Sequence, residues 1–137
     1  MRGPKALLAA GDVLCFVVFA LIGLRSHDEG IGAGSLARVA GPFAVSWLAS
    51  AWLNGLYRPR PHSAGSTTRL VLRAWLPAWL AGLAIRALFF GKSPFTAFSI
   101  IALLFNAALL SGWRLGASLL DRPPRAETTP ERARYGG

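Results

Sequence analysis

Cysteine occurs once in this chain, as Cys15 inside an apolar run, which excludes an intramolecular disulfide, a thiol redox pair and a cysteine metal cluster. A lone thiol in such a run reads as a small apolar filler. Acids are scarce too, with 6 Asp+Glu against 15 Lys+Arg, and Asp12 is the one acid inside a long apolar stretch. Histidine is limited to His27 and His62. No nucleophile elbow, phosphate-cradling loop or zinc motif is present, so enzyme is the least supported class. The basic excess does not point to nucleic acid, because the charges cluster between apolar runs instead of spreading along a soluble face.

What the chain has in abundance is long hydrophobic runs. It is 53% hydrophobic over 137 residues, with a mean hydropathy of +0.44. A transmembrane helix needs about 20 predominantly apolar residues. Four stretches qualify: Ala6 to Leu24, Leu36 to Tyr57, Leu70 to Phe90, and Phe95 to about Trp113. The expected fold is all-α, a four-helix transmembrane bundle of two antiparallel hairpins. Its membrane domain covers 1–120, and a polar, proline-rich tail over 121–137 is expected to be disordered.

Turn residues separate the runs. Gly30, Gly32, Gly34 and Ser35 precede the second, and Pro59, Pro61 and Gly65 precede the third, with Ser66 and Thr67 as candidate N-caps. Gly91 can end the third helix, and Ser93-Pro94 reads as cap and first turn of the fourth. Arg2 and Lys5 ahead of an apolar run resemble a signal peptide. Asp12 within the run and the lack of an A-x-A-like site favour a retained span.

Cation placement predicts orientation. Arg2, Lys5, Arg58, Arg60, Arg69, Arg73, Arg114, Arg122, Arg125, Arg132 and Arg134 fall on one side. Arg25, Arg38, Arg86 and Lys92 fall on the other, a division of 11 against 4 among the 15 Lys+Arg. Both termini are therefore expected in the cytoplasm of a prokaryotic plasma membrane. Tyr57 and Trp113 then lie at the inner interface, and Phe89, Phe90 and Phe95 near the outer one.

An ionised group within a span costs roughly 2.5–3.5 kcal/mol on insertion scales, so it is expected to be paired. At 1.5 Å rise per residue, Asp12 lies about 9 Å inside the first run, Asn54 and Arg73 about 4–5 Å inside theirs, and Asn106 about 10 Å inside the fourth. These depths predict a polar cluster of Asp12, Asn54, Arg73 and Asn106, with Arg73 as the partner of Asp12. Pro42, Ser46, Ser50 and Asn54 recur every four residues, giving a polar stripe on one helix face. Ala74, Ala78 and Gly82 repeat the spacing in the third run, as do Ala108, Gly112 and Gly116 in the fourth, a pattern suited to close helix contact.

On the outer side, Arg25, Ser26 and His27 form a loop element beside Asp28 and Glu29, with Arg38 and Arg86 at the membrane edge. His27 and His62 fall on opposite sides of the membrane, so they cannot jointly hold a haem or metal within one chain. No span contains lysine, which removes a retinal Schiff base. No cofactor or metal is expected.

GDVLCFVVFALIGLRSH from Gly11 to His27, the Arg86 end of the third run and SGWR from Ser111 to Arg114 carry a family resemblance. Over Gly11 to Arg114 the chain resembles an uncharacterised family of small bacterial and haloarchaeal membrane proteins, a domain-of-unknown-function family. The resemblance implies the four-helix membrane architecture and brings no substrate or catalytic residue. The expected role is a non-enzymatic membrane component, a homo-oligomer or accessory subunit whose partners are the lipid bilayer and other membrane protein. The alternatives are small-solute or ion permeation by an oligomer using Asp12, and an interfacial enzyme acting on lipid or quinone.

Overall fold

A computed structural model describes residues 3–26, 30–58, 63–94 and 96–120. The tail over 121–137, His27, Asp28, Glu29, Arg60, His62 and Phe95 lie outside the described residues. Four helices account for 87% of what is described: α1 Gly3–Ser26, α2 Ala33–Leu53, α3 Ala64–Phe90 and α4 Ala97–Leu120. All four are long and apolar enough to cross a membrane. The fold is all-α, and no strand occurs among the described residues.

Local chemistry sets the helix ends. Ser63 caps α3: its Oγ accepts from the Ser66 amide at 3.3 Å, and Ser66 Oγ donates to the Ser63 carbonyl at 2.9 Å. The cap thus falls one turn before Ser66 and Thr67, the candidates read from the sequence. α4 begins at Ala97, three residues past Pro94. α2 ends at Leu53, four residues before Tyr57, in a Schellman motif. The Leu56 amide donates to the Ala51 carbonyl at 2.9 Å and the Gly55 amide to the Trp52 carbonyl at 3.1 Å. Gly55 carries φ +73°, a conformation that a side chain would strain.

The helices pack in a ring: α1 touches α2 and α4, and α3 touches α2 and α4. Contacts across three of the four seams join the early part of one helix to the late part of another. Asp12 meets Arg114, Ser50 donates to the Ala74 carbonyl at 2.7 Å, and Trp79 donates to the Ser99 carbonyl at 2.9 Å. The ring closes on an aromatic core centred on Trp75. Its indole lies 5.6 Å from Phe16 of α1, 6.2 Å from Phe43 and 6.2 Å from Trp47 of α2, and its N–H donates to the Leu103 carbonyl of α4 at 2.9 Å. One side chain therefore touches all three other helices, including α1 across the diagonal. Large apolar side chains such as Leu14, Val45, Leu80 and Leu104 face outward, as a lipid solvent permits.

At the α2–α3 seam a glycine makes room for an aromatic side chain. A Cβ added at Gly82 would lie 2.5 Å from Phe43 Cδ1, whereas one added at Gly41 would meet nothing within 4 Å. Gly82→Ala is expected to destabilise the bundle by about 1–3 kcal/mol through overpacking. Gly41→Ala should be neutral or stabilising by up to about 1 kcal/mol, from helix propensity alone. Unfolding of the two variants in detergent micelles compares them directly.

Candidate functional site

The buried charge sits at one end of the ring. Asp12 on α1 is fully enclosed and Arg114 on α4 is 6% exposed. Arg114 grips the carboxylate side-on, with Nε donating to Oδ1 at 2.9 Å and Nη2 to Oδ2 at 2.5 Å. The Tyr57 hydroxyl donates to Oδ2 at 2.6 Å, and the guanidinium carbon stands 4.9 Å from the centre of the Tyr57 ring. Arg114 Nη1 also donates to the Leu56 carbonyl at 3.4 Å. Two-pronged, charge-assisted bonds of this kind are about twice as strong as neutral ones, and the low dielectric strengthens them further.

Three elements build this triad. Helix phase puts Asp12 on the face of α1 that also carries Phe16 and Ala20, both buried. On α4 the buried residues are Ser99, Ala102, Asn106, Leu110 and Arg114, one continuous inner stripe that ends on the cation. The turn after α2 supplies the rest, because the Schellman motif brings the Leu56 carbonyl and the Tyr57 ring over the guanidinium. Gly11 allows α1 and α4 to approach closely here: a Cβ at that position would lie 2.1 Å from the Trp113 ring.

The expected cluster of Asp12, Asn54, Arg73 and Asn106 does not form. Arg73 is exposed, a quarter-turn off the buried Ala74–Ala78–Gly82 face of α3, so Arg114 is the cation that neutralises Asp12. Asn54 turns back on its own helix, donating through Nδ2 to the Ser50 carbonyl at 2.8 Å. Asn106 is buried and donates to the Ala102 carbonyl at 3.0 Å, while its Oδ1 has no partner among the described residues. Tyr57 and Arg114, expected only as interfacial and orienting residues, also bond to Asp12.

The remaining sequence candidates are separate from it. Ser46 and Ser50 are buried on α2, and Ser50 Oγ is spent on the Ala74 carbonyl. Arg25 and Ser26 are exposed at the far end of α1, where Ser26 Oγ donates to the Ile22 carbonyl at 2.8 Å. Arg38 and Arg86 do come together, with Arg86 Nη1 donating to the Arg38 carbonyl at 3.4 Å and the Arg86 guanidinium 4.4 Å above the Phe98 ring. No group of three or more metal-ligating side chains occurs among the described residues.

Every oxygen of Asp12 accepts from a protein donor, and the carboxylate has no exposed edge. The arrangement is a neutral clasp between α1, α4 and the α2 turn. Removing one partner strands a charge in the apolar interior, so Asp12→Asn or Arg114→Gln is expected to cost about 3–5 kcal/mol. The double replacement Asp12→Leu with Arg114→Met should recover most of that loss. Arg73→Gln is expected to change stability by no more than about 0.5 kcal/mol, as for an exposed site. Denaturant unfolding in mixed micelles distinguishes the two arginines; equal losses at Arg73 and Arg114 would reject the clasp.

No curated protein and no solved structure matches the chain. A family model does match, over residues 9–117, and that stretch includes Asp12, Tyr57 and Arg114. The chain belongs to the DUF3054 family, proteins of unknown function.

Proposed function

We propose that this protein is a non-enzymatic, four-span membrane component that works by helix–helix association in the bilayer, as a homo-oligomer through α4. The observation that supports it most is the fate of the three small-residue stripes. Those of α2 and α3 are consumed inside the bundle, where Ser50 reaches Ala74 and Gly82 meets Phe43. The third, Ala108, Gly112 and Gly116, lies on the back of α4, exposed at all three positions. A Cβ at Gly112 or Gly116 would meet nothing within 4 Å. Small residues four apart on a lipid-facing surface let a second helix approach closely, which is the main source of helix association where apolar burial gives no driving force.

Both termini are assigned to the cytoplasm of a prokaryotic plasma membrane. The cation division supports this even after Arg114 is removed from the count as an internally neutralised charge, since eleven against four becomes ten against four. Permeation through Asp12 loses its motivation, because the carboxylate is enclosed and fully bonded.

Gly112→Cys offers a direct test, since the native thiol, Cys15, is buried. Mild oxidation in native membranes is expected to cross-link Gly112→Cys into a dimer, while Leu14→Cys, on the outward face of α1, stays monomeric. Gly112→Leu should shift the detergent-solubilised protein toward monomer. A protein that stays monomeric, cross-links at neither position and co-purifies with no membrane partner would reject the association reading.

A further inference from the structure

At the end of the bundle away from the clasp, the helices do not close. A cleft of about 660 Å³ opens there, between the late part of α1 and the early part of α4, with α2 and α3 forming its back. That volume lies in the range of about 300–1,000 Å³ typical of small-molecule sites. Its two ends differ in chemistry. The deep part is apolar, with Phe19, Ile22, Ile101 and Phe105 among the lining residues. Phe19 and Phe105 stand seven and eight residues inside their helix ends, so the cleft runs roughly 10–12 Å down from the loops. The mouth is basic: Arg38, Arg86 and Lys92 line it, and no carboxylate does among the described lining residues. Ile22 is 47% exposed, Ile101 56% and Phe105 37%, so the flank of the cleft faces the surroundings of the bundle.

From this geometry we infer that the cleft is a binding site for an anionic glycerophospholipid of the surrounding bilayer. One acyl chain enters sideways between α1 and α4, and the phosphate sits at Arg38 and Lys92. Polarity and depth together favour this occupant. A lipid holds its charge at the membrane edge and its chain toward the midplane, and the cleft presents cations at the loop end with an apolar channel below them. A soluble anion would leave the apolar depth unfilled. A zwitterionic lipid brings a cation with its phosphate and would leave a net positive charge among the described residues of the mouth. Arg86 is already engaged, on the Arg38 carbonyl and the Phe98 ring, so it shapes the wall, while the exposed Arg38 and Lys92 side chains take the phosphate. Ile101 and Phe105 share a helix face with Ala108, Gly112 and Gly116 but lie nearer the loop end of α4, so lipid retention and cross-linking at Gly112 read different stretches of the helix and can fail independently.

Native mass spectrometry of the full chain, titrated with dioleoylphosphatidylglycerol or dioleoylphosphatidylcholine in mild detergent, tests the assignment. The wild type is expected to retain the anionic lipid over the neutral one by roughly thirtyfold, the scale of two surface cations at about 1 kcal/mol each. Arg38→Gln with Lys92→Gln should remove that preference. Gly23→Leu fills the cleft from a position where an added Cβ meets nothing within 4 Å, and should abolish retention of either lipid. Arg58→Gln with Arg69→Gln, at the opposite end, should leave the preference unchanged. Far-UV circular dichroism and a monodisperse elution profile check folding, and the exposed charge pair remains decisive should Gly23→Leu fail to fold. Equal retention of the two lipids by the wild type would overturn the assignment. So would unchanged retention by Gly23→Leu, or an equal loss of preference in the Arg58/Arg69 variant.

Discussion

A carboxylate placed a third of the way along an apolar helix must find a cation, and in this protein that requirement organises one whole end of the bundle. An unpaired charge there carries a penalty that four lipid-facing helices have little means to offset, since burying leucine against leucine gains little in hydrocarbon. Asp12 meets its cation because α4 lies against α1 in one register and α2 stops early enough to fold its turn over the pair. The clasp therefore selects a ring order. It ties the first and last helices, which the chain joins only through the other two, and it borrows a carbonyl and a phenol from the second. Buried ion pairs add little net stability compared with apolar replacements, and their best-attested use is to fix register. That is the role the geometry gives this one.

Trp75 does the complementary work at mid-bundle. Diagonal helices in a four-membered ring stand too far apart for small side chains to meet, and a large rigid ring bridges the gap. Its indole N–H finds the Leu103 carbonyl, so the polar handle of the ring is satisfied without water. The small residues of α2 and α3 then have a reason beyond close helix approach: Gly82 leaves room for Phe43, which packs on Trp75. Small and large positions interlock, with the glycine face of one helix receiving an aromatic from the next.

Hydropathy made the four helices legible because the hydrocarbon thickness sets a length that no loop imitates, and Ala6 to Leu24 or Leu70 to Phe90 meets it plainly. Depth counted from the edges of apolar runs points to Arg73 as the partner of Asp12, whereas helices do not end where apolarity does. α4 continues to Leu120, so Arg114 lies well within it. Phase was the better guide and was present in the sequence. Arg114 follows Asn106 by eight residues, two steps of the inner stripe, while Arg73 sits one residue off the Ala74–Ala78–Gly82 face and shares the outward face with Leu76 and Leu80. Asn54-Gly55 likewise carried a helix-stop signal that the apolar run through Tyr57 concealed. The bridging role of Trp75 had no such signal, because a tryptophan in an apolar run reads the same whether it faces lipid or core.

The same phase argument separates two uses of small residues that spacing alone cannot distinguish. On α4, Ala108, Gly112 and Gly116 are each displaced by two residues from Asn106, Leu110 and Arg114, a rotation of about 200° at 3.6 residues per turn. Once the clasp fixes Arg114 inward, that stripe has to point outward. The buried charge thus dictates which surface of the molecule is free for contact in the membrane, even though no residue of the stripe touches it. At the opposite end no internal anion engages Arg38 or Lys92 among the described residues, and the helices part there around an apolar cleft with a basic mouth. One end spends its cation on closing the ring, and the other keeps its cations at the edge, facing outward.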